Sequence, residues 1–307
     1  MKLLIASSIY KDAIEKLREN HDVICAFGAP EEELKLAIQD RDILVFRSGV
    51  DINARVMAAA SNLKLLIRAG SGVDNLDMDY VKQNKVQLIR IPEPGAKAVA
   101  ELSFLHMLAL SRTLIYGDRS LREGRWVKSE MKGFLLTGKT LGIIGVGNIG
   151  SRVAKIGSSW DLNVMGCVKH PNEKRVKKLW DQYKVELTDF DDVISKADYI
   201  SIHVPLDKST RYMFNENVFR KVKPGAFLVN LARGGVVDEK ALYKAIVEDK
   251  VIRGAALDVH ENEGEGKISI LAGLPNVVLS PHIGAQTIDS QKEIGDRILE
   301  IMDNLNF

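Results

Sequence analysis

Short apolar runs alternate along this chain with segments whose apolar positions recur at helical spacing, the pattern of buried strands between amphipathic helices. Lys2 to Ala6, Val23 to Ala26, Ile43 to Phe46 and Leu65 to Ile67 read as strands. Between them, helices are expected over Asp12 to Asn20, with Ile14 and Leu17 turned inward, from Pro30 through Glu31 to Glu33, and over Ala54 to Ala60. Proline in a first turn gives up no needed amide hydrogen, and acids there meet the positive end of the helix dipole. This alternation over short loops predicts an open α/β layer on a mainly parallel sheet. Ligands on such sheets gather beyond the carboxyl ends of the strands. Arg47, Arg68 and the loop Gly70-Ser71-Gly72 fall there.

Ile91-Pro92-Glu93-Pro94-Gly95 breaks the pattern and is expected to mark a crossing between domains. Val99 to Ser111 then reads as a helix apolar nearly all round, hence a buried one. Polar residues follow over Arg119 to Lys132, including Arg122, Arg125, Trp126 and Lys128. A second α/β series comes next. Its strands are expected at Thr140 to Ile144, Val164 to Val168, Asp198 to His203, Ala226 to Asn230, Ala255 to Val259 and Val277 to Ser280. Its helices are expected at Lys174 to Asp181, Glu239 to Glu248 and Gln286 to Met302.

The first strand of that series runs into Gly145-Val146-Gly147-Asn148-Ile149-Gly150, and Val153, Ile156 and Trp160 continue at helical spacing. Strand, glycine turn and helix form the context of a dinucleotide site. Gly145 allows the tight turn, Gly147 a close approach to a pyrophosphate, and Gly150 close packing of helix on strand. The helix N-terminus offers unpaired N–H groups to the phosphates. A glycine turn that binds nothing is the alternative, and this context favours nucleotide binding.

The chain's 307 residues suffice for about two domains. Hydrophobic residues at 46% and charged residues at 27% suit a soluble globular protein. A net charge of +2 supplies no long-range field toward nucleic acid or a membrane. No apolar run is long enough to cross a bilayer. The first residues, Met1 to Ala6, are too short for a signal-peptide core. Cys25 and Cys167 lie in apolar runs and are expected to be buried free thiols, as suits the cytoplasm. Neither Cys nor His spacing suggests a metal site.

Three chemical residues fall at predicted strand ends: Arg233, Glu263 and His282. Hydride transfer between a nicotinamide and a ketone leaves charge growing on the carbonyl oxygen. His282 suits the proton donor and acceptor. Arg233 has the planar fork that matches a substrate carboxylate. Glu263 would orient the His282 ring and favour its protonated form. Singly, these residues read as a packing histidine, an arginine tying a turn, and a solvated acid. Their convergence beside a dinucleotide loop favours a site.

At these residues the chain closely resembles the D-isomer-specific 2-hydroxyacid dehydrogenases. The resemblance covers nearly the whole chain. It rests on Arg68-Ala69-Gly70-Ser71-Gly72-Val73-Asp74-Asn75, Val99-Ala100-Glu101-Leu102 and the run from Gly138 to Gly145. It continues in His203-Val204-Pro205-Leu206, Asn230-Leu231-Ala232-Arg233-Gly234-Gly235, Leu257-Asp258-Val259 and Pro281-His282-Ile283-Gly284-Ala285. The fold it implies is α/β with two doubly wound parallel-sheet domains. A flavodoxin-like substrate domain spans residues 1–97 plus 285–307, and a Rossmann nucleotide-binding domain spans 98–284.

Within that resemblance Arg233, Glu263 and His282 are the catalytic trio. Gly145, Gly147, Asn148, Ile149, Gly150, Val168, Lys169, His203, Pro205, Leu231, Ala232, Asp258 and Gly284 are expected at the cofactor, Asp258 against the nicotinamide carboxamide. The backbone of Ser71 and Gly72 is expected at the substrate carboxylate. Arg47 and Lys97 match positions where one branch of the family turns basic residues toward a substrate phosphate, and Arg125-Trp126-Val127-Lys128 resembles a segment of that branch. The expected reaction is oxidation of D-3-phosphoglycerate to 3-phosphohydroxypyruvate, so the expected partner is a small phosphorylated 2-hydroxy acid. A hydroxypyruvate or glyoxylate reductase is the nearest alternative, and a nucleotide-sensing corepressor a distant one. Family members are typically dimers, with Arg119 to Lys132 near the partner. Longer relatives carry a C-terminal regulatory domain; ending at Phe307, this chain is expected to lack it and its serine feedback.

Three departures stand out. Val168, followed by Lys169 and His170, replaces the acid usual at the adenosine ribose. The resemblance implies NAD as the cofactor, but losing the acid removes a penalty against a 2′-phosphate, which Lys169 could bind, so NADP is an alternative. Gly95 stands where Asn is common, and His260 and Gly264 where Phe and Pro are common.

Overall fold

The computed structural model describes residues 1–305. It divides into two compact units, Met1–Ala98 with the segment from Ala285 onward, and Val99–Gly284.

The first unit begins β1 (Lys2–Ile5), α1 (Lys11–Asn20), β2 (Asp22–Cys25), α2 (Glu31–Ala37) and β3 (Ile43–Phe46). It continues α3 (Ala54–Ala58), β4 (Leu65–Arg68), α4 (Met78–Gln83) and β5 (Gln87–Arg90). The strands are all parallel in the order β2-β1-β3-β4-β5, the flavodoxin-like doubly wound order. The interior strands β3 and β4 are buried at every position because helices cover both faces. The edge strand β2 is buried at none, so Cys25 is half-buried rather than buried as expected, while Cys167 in the second unit is buried; both thiols are free.

α5 (Glu93–Ser111) starts where a domain crossing was expected. Pro92 and Pro94 sit at its N-terminal turn, where no amide hydrogen is required. The division between the units falls inside this helix, between Ala98 and Val99. Only Glu93, Lys97, Glu101 and Leu105, one residue per turn, are exposed along it.

The second unit continues with α6 (Leu114–Arg122), β6 (Thr140–Ile144), α7 (Asn148–Ser159), β7 (Asn163–Cys167), α8 (Glu173–Tyr183) and β8 (Glu186–Leu187). Then come α9 (Phe190–Lys196), β9 (Tyr199–Ile202), α10 (Glu216–Phe219), β10 (Ala226–Asn230), α11 (Glu239–Val247), β11 (Ile252–Leu257) and β12 (Val277–Leu279). Its parallel strands run β12-β11-β10-β9-β6-β7-β8. Counted from β6 this is the Rossmann order with one added edge strand, and the order reverses between β6 and β9. The chain ends on α12 (Ile288–Asp303), whose Ile294, Ile298 and Met302 join Leu3, Ile5, Ile14 and Leu17 in the core of the first unit.

Trp160, expected on the inner face of α7, follows its last residue and is exposed, its ring edge-on to Phe104. Exposed apolar side chains gather on and after α6 at Leu114, Ile115, Leu121, Trp126 and Leu135. No single helix among the described residues is long and apolar enough to cross a membrane.

A Cβ at Gly150 would meet the Gly145 carbonyl, which cannot yield, whereas a Cβ at Gly147 meets open space. Gly150→Ala should therefore lower stability by about 1–3 kcal/mol. Gly147→Ala should leave the melting temperature near wild type while weakening nucleotide binding. Thermal unfolding with and without NAD checks both; equal melting temperatures for the two variants would contradict the packing.

Candidate active site

Strands β10, β11 and β12 are neighbours and parallel, so the loops leaving their carboxyl ends lie side by side. Arg233 follows β10, Glu263 follows β11 and His282 follows β12. Glu263 Oε2 lies 2.8 Å from His282 Nδ1, and its Oε1 accepts from the His260 backbone N–H at 3.1 Å. Burial opposes ionisation of Glu263, but the His282 hydrogen bond, the His260 N–H and the charge of both rings outweigh it and hold the carboxyl below its ordinary range. A carboxylate there requires His282 Nδ1 to be the donor. Nε2 is then the nitrogen left to exchange a proton.

His282 adopts the left-handed region, at φ +54°. That conformation is uncommon for a residue with a Cβ and must be held from outside. Asp258, 1% exposed, does the holding. Its Oδ1 accepts from Ser280 Oγ at 2.6 Å and Ile283 N at 2.9 Å, and its Oδ2 from Gly284 N at 2.7 Å. The resemblance placed Asp258 at the nicotinamide; the partners its carboxylate has are those of the loop carrying His282. Two further histidines brace the loop. With the Ser280 proton given to Asp258, His106 Nε2 donates to Ser280 Oγ at 3.2 Å. His260 Nε2 donates to the Ser280 carbonyl at 2.9 Å. Neither His106 nor Ser280 was singled out from the sequence. A lone histidine inside the apolar stretch Val99 to Ser111 was the available signal.

The Arg233 loop is folded by Asn230, whose side chain accepts from Ala232 N and donates to the Arg233 carbonyl. Arg233 Nη1 donates to the Ala232 carbonyl at 2.7 Å. A Cβ on Gly234 would strike the His260 carbonyl, so only glycine lets this loop lie against the one bearing Glu263. Glu261 and Glu239 each accept the other's backbone N–H and fix the β11 loop to α11. The structure thus joins Glu263 to His282 directly and sets the Arg233 loop against theirs. A cavity of about 610 Å³ opens on the pair, lined also by His260, Lys267 and Ile268.

The glycine turn lies on the same sheet edge. Gly145 takes φ +94° against the His203 carbonyl, and Gly147 precedes Asn148, Ile149 and Gly150 at the start of α7 with no side chain capping it. Beside it is a second cavity of about 560 Å³, lined by Gly145, Val168, Lys169, Leu187, Val204 and Met213. Val168 and Lys169 follow β7; His203 and Pro205 follow β9; Leu231 and Ala232, both buried, follow β10. Burial pushes the His203 imidazole down to about 3, so the ring is neutral, with Nε2 on Ser201 Oγ. An apolar cavity beside an open glycine turn and free helix N–H groups fits a dinucleotide.

Residues 104–284 match the D-isomer specific 2-hydroxyacid dehydrogenase, NAD binding domain. The chain belongs to the D-isomer specific 2-hydroxyacid dehydrogenase family. It is 39% identical over 98% of its length to a D-3-phosphoglycerate dehydrogenase of Methanocaldococcus jannaschii, of which it covers 56%. It is 40% identical over 94% of its length to a hydroxypyruvate reductase of Thermotoga maritima, of which it covers 93%. It is also similar in structure to a D-lactate dehydrogenase of Aquifex aeolicus solved with NAD and lactic acid. That likeness has a TM-score of 0.84 at 27% identity, covering 98% of this chain and 94% of that one. The chain spans little more than half the length of the phosphoglycerate dehydrogenases it matches.

In the first unit Arg47 and the Ser71–Gly72 loop follow strand ends, whereas Lys97 lies within α5. Arg68 Nε donates to the Gly72 carbonyl at 2.8 Å and Arg90 Nη1 to the Ser71 carbonyl at 3.3 Å, which shapes the Ser71–Gly72 loop. Arg47, at the end of β3, is buried. Lys97 is half exposed and pairs with Glu293 at 2.9 Å, so its charge is already matched.

Because the folded value of Glu263 is depressed, its contribution to the loop is present above the unfolded pKa and lost as pH falls through the folded one. In His282→Ala, the Glu263 titration followed by carboxyl NMR should move up toward the ordinary range. A midpoint that stays put would break the pairing. Asp258→Asn turns a buried acceptor into a donor facing N–H groups. It should cost about 1–3 kcal/mol in denaturant unfolding, and a stability equal to wild type would remove Asp258 from its holding role.

Proposed function

We propose that this chain oxidises D-3-phosphoglycerate to 3-phosphohydroxypyruvate with a nicotinamide dinucleotide. The observation that carries the phosphate is Arg47. Its side chain is 7% exposed, and burial lowers its pKa. Its contacts are neutral and long, to the Ala285 carbonyl at 3.3 Å and Gln286 Oε1 at 3.4 Å. A buried guanidinium whose partners among the described residues are neutral oxygens gains most from a dianion. The relatives named as D-3-phosphoglycerate dehydrogenases support the same substrate.

The roles follow from the chemistry. The C2 hydroxyl gives its proton to His282 Nε2 while Glu263 balances the imidazolium through Nδ1–H. The bound cofactor supplies the hydride acceptor. Arg233 takes the substrate carboxylate through its planar fork.

A second reading, reduction of hydroxypyruvate or glyoxylate, is favoured by Lys97. Its pairing with Glu293 leaves one basic group where a phosphate calls for several, and a relative is named hydroxypyruvate reductase. Initial rates decide. Turnover of D-3-phosphoglycerate should exceed that of D-glycerate, and Arg47→Ala should raise KM for the phosphorylated acid about tenfold or more while sparing the other. Equal rates on both acids would end the phosphate reading and leave the reductase.

A further inference from the structure

In doubly wound nucleotide folds an acid after the second strand accepts the adenosine ribose hydroxyls and repels a 2′-phosphate. Here the corresponding strand, β7, is followed by Val168, Lys169 and His170. Val168 is half-buried and forms cavity wall with Leu187, Val204 and Met213, so nothing at its position competes for the ribose hydroxyls.

Around it stand donors. Lys169 Nζ donates to Ser209 Oγ at 3.1 Å, and both side chains line the cavity. The nearest acid to Lys169, an Asp207 oxygen, is 3.9 Å away. Asp207 is tied into its own turn, accepting from Ser209 N, Ser209 Oγ and Thr210 N. The acid in the cavity lining, Asp189, caps α9 by accepting from Asp192 N. A second cation comes from α8. Arg175, one turn in from its Asn172 cap, donates from Nη2 to the Val146 carbonyl inside the glycine turn at 3.1 Å. Val146 in turn packs over β7, where a Cβ on Gly166 would meet its Cγ2. The guanidinium is thereby fixed at the ends of β6 and β7 with its remaining N–H groups available. Among the described residues no carboxylate is paired with it.

We propose that Lys169, Ser209 and Arg175 form a receptor for the 2′-phosphate of NADP, and that this chain prefers NADP to NAD. The inference rests on the nucleotide-binding part of the proposed function and is independent of which hydroxy acid is oxidised. A lysine where an acid would stand exchanges a repulsion for a charge-assisted hydrogen bond. Ser209, its own proton given to Asp207, holds Lys169 Nζ in place, and Arg175 offers a planar donor pair suited to phosphate oxygens.

The test uses two fragments that differ only in the group at issue. Adenosine 2′,5′-bisphosphate and 5′-AMP are titrated calorimetrically into the full chain, so no turnover is required. The bisphosphate should bind about tenfold tighter or better. Lys169→Ala and Arg175→Ala should each shrink that ratio, and Val168→Asp should reverse it. Equal binding of the two fragments, or a ratio untouched by both alanine variants, overturns the 2′-phosphate site and reduces Lys169 and Arg175 to surface charge. If the ratio holds but D-3-phosphoglycerate is not oxidised with either dinucleotide, only the substrate reading falls.

Discussion

The carboxylate of Asp258 is the constraint on which the reactive edge of the second unit depends. It is buried at the end of β11, and its three hydrogen bonds all reach the segment from Ser280 to Gly284. A backbone turned to φ +54° at His282 would relax if those bonds were lost, and the ring would leave Glu263. Position here is set by three short bonds to one anion, two of them from backbone N–H groups. That is a stiff arrangement, because each donor is fixed by the chain itself and each bond is strengthened by the charge it meets. Strain at His282 and charge at Asp258 are thus two sides of one arrangement.

The strand order explains why such an edge exists. In both units the sheet is wholly parallel and doubly wound, so every loop leaving a carboxyl end emerges on one side. In the second unit the order reverses between β6 and β9, and the glycine turn after β6 meets the His203 carbonyl after β9 across that gap. The neighbouring strands β10, β11 and β12 bring Arg233, Glu263 and His282 to the same edge from positions 19 or more residues apart. Close approach is then a matter of small side chains: Gly150 against Gly145, Gly234 against His260.

The interior strands were legible because burial on both faces leaves an unbroken apolar run, as in Ile43-Leu44-Val45-Phe46 and Ala226-Phe227-Leu228-Val229-Asn230. Two of the four edge strands, β5 and β8, were not. β8 is Glu186-Leu187, and β5 has two apolar residues between Gln87 and Arg90; solvent on one side removes the signal. The short helices α4, α9 and α10 also escaped notice. Their caps, Asp77, Asp189 and Asn215, each accept from backbone N–H groups and were readable as helix starts. Pro92 and Pro94 hid the first turns of α5 for a physical reason: proline breaks a helix interior but suits its first turn, and nothing local distinguishes the two until the following apolar stretch is counted in. At the site, residue types at strand ends revealed Glu263 and His282. Ser280, His106 and Arg175 could not be read, since their parts are defined by partners across the fold.

His106, His203, His260 and His282 lie at the carboxyl edge or just beneath it, and their surroundings sort them. His203 is neutral, pushed down to about 3 by burial, and serves Ser201. Burial likewise lowers His106, although the charge of Asp258 works the other way, so it acts as a neutral donor to Ser280. His260 spends Nε2 on the Ser280 carbonyl, and its Nδ1 is enclosed with no partner among the described residues. His282 alone has a carboxylate on its inner nitrogen to receive the charge of a gained proton, with a third of its side chain open for the transfer. A proton carrier needs both an exit and a counter-charge, and only this ring has the two together. His203 and His106 stay neutral beneath the loop that Asp258 holds, because burial lowers both.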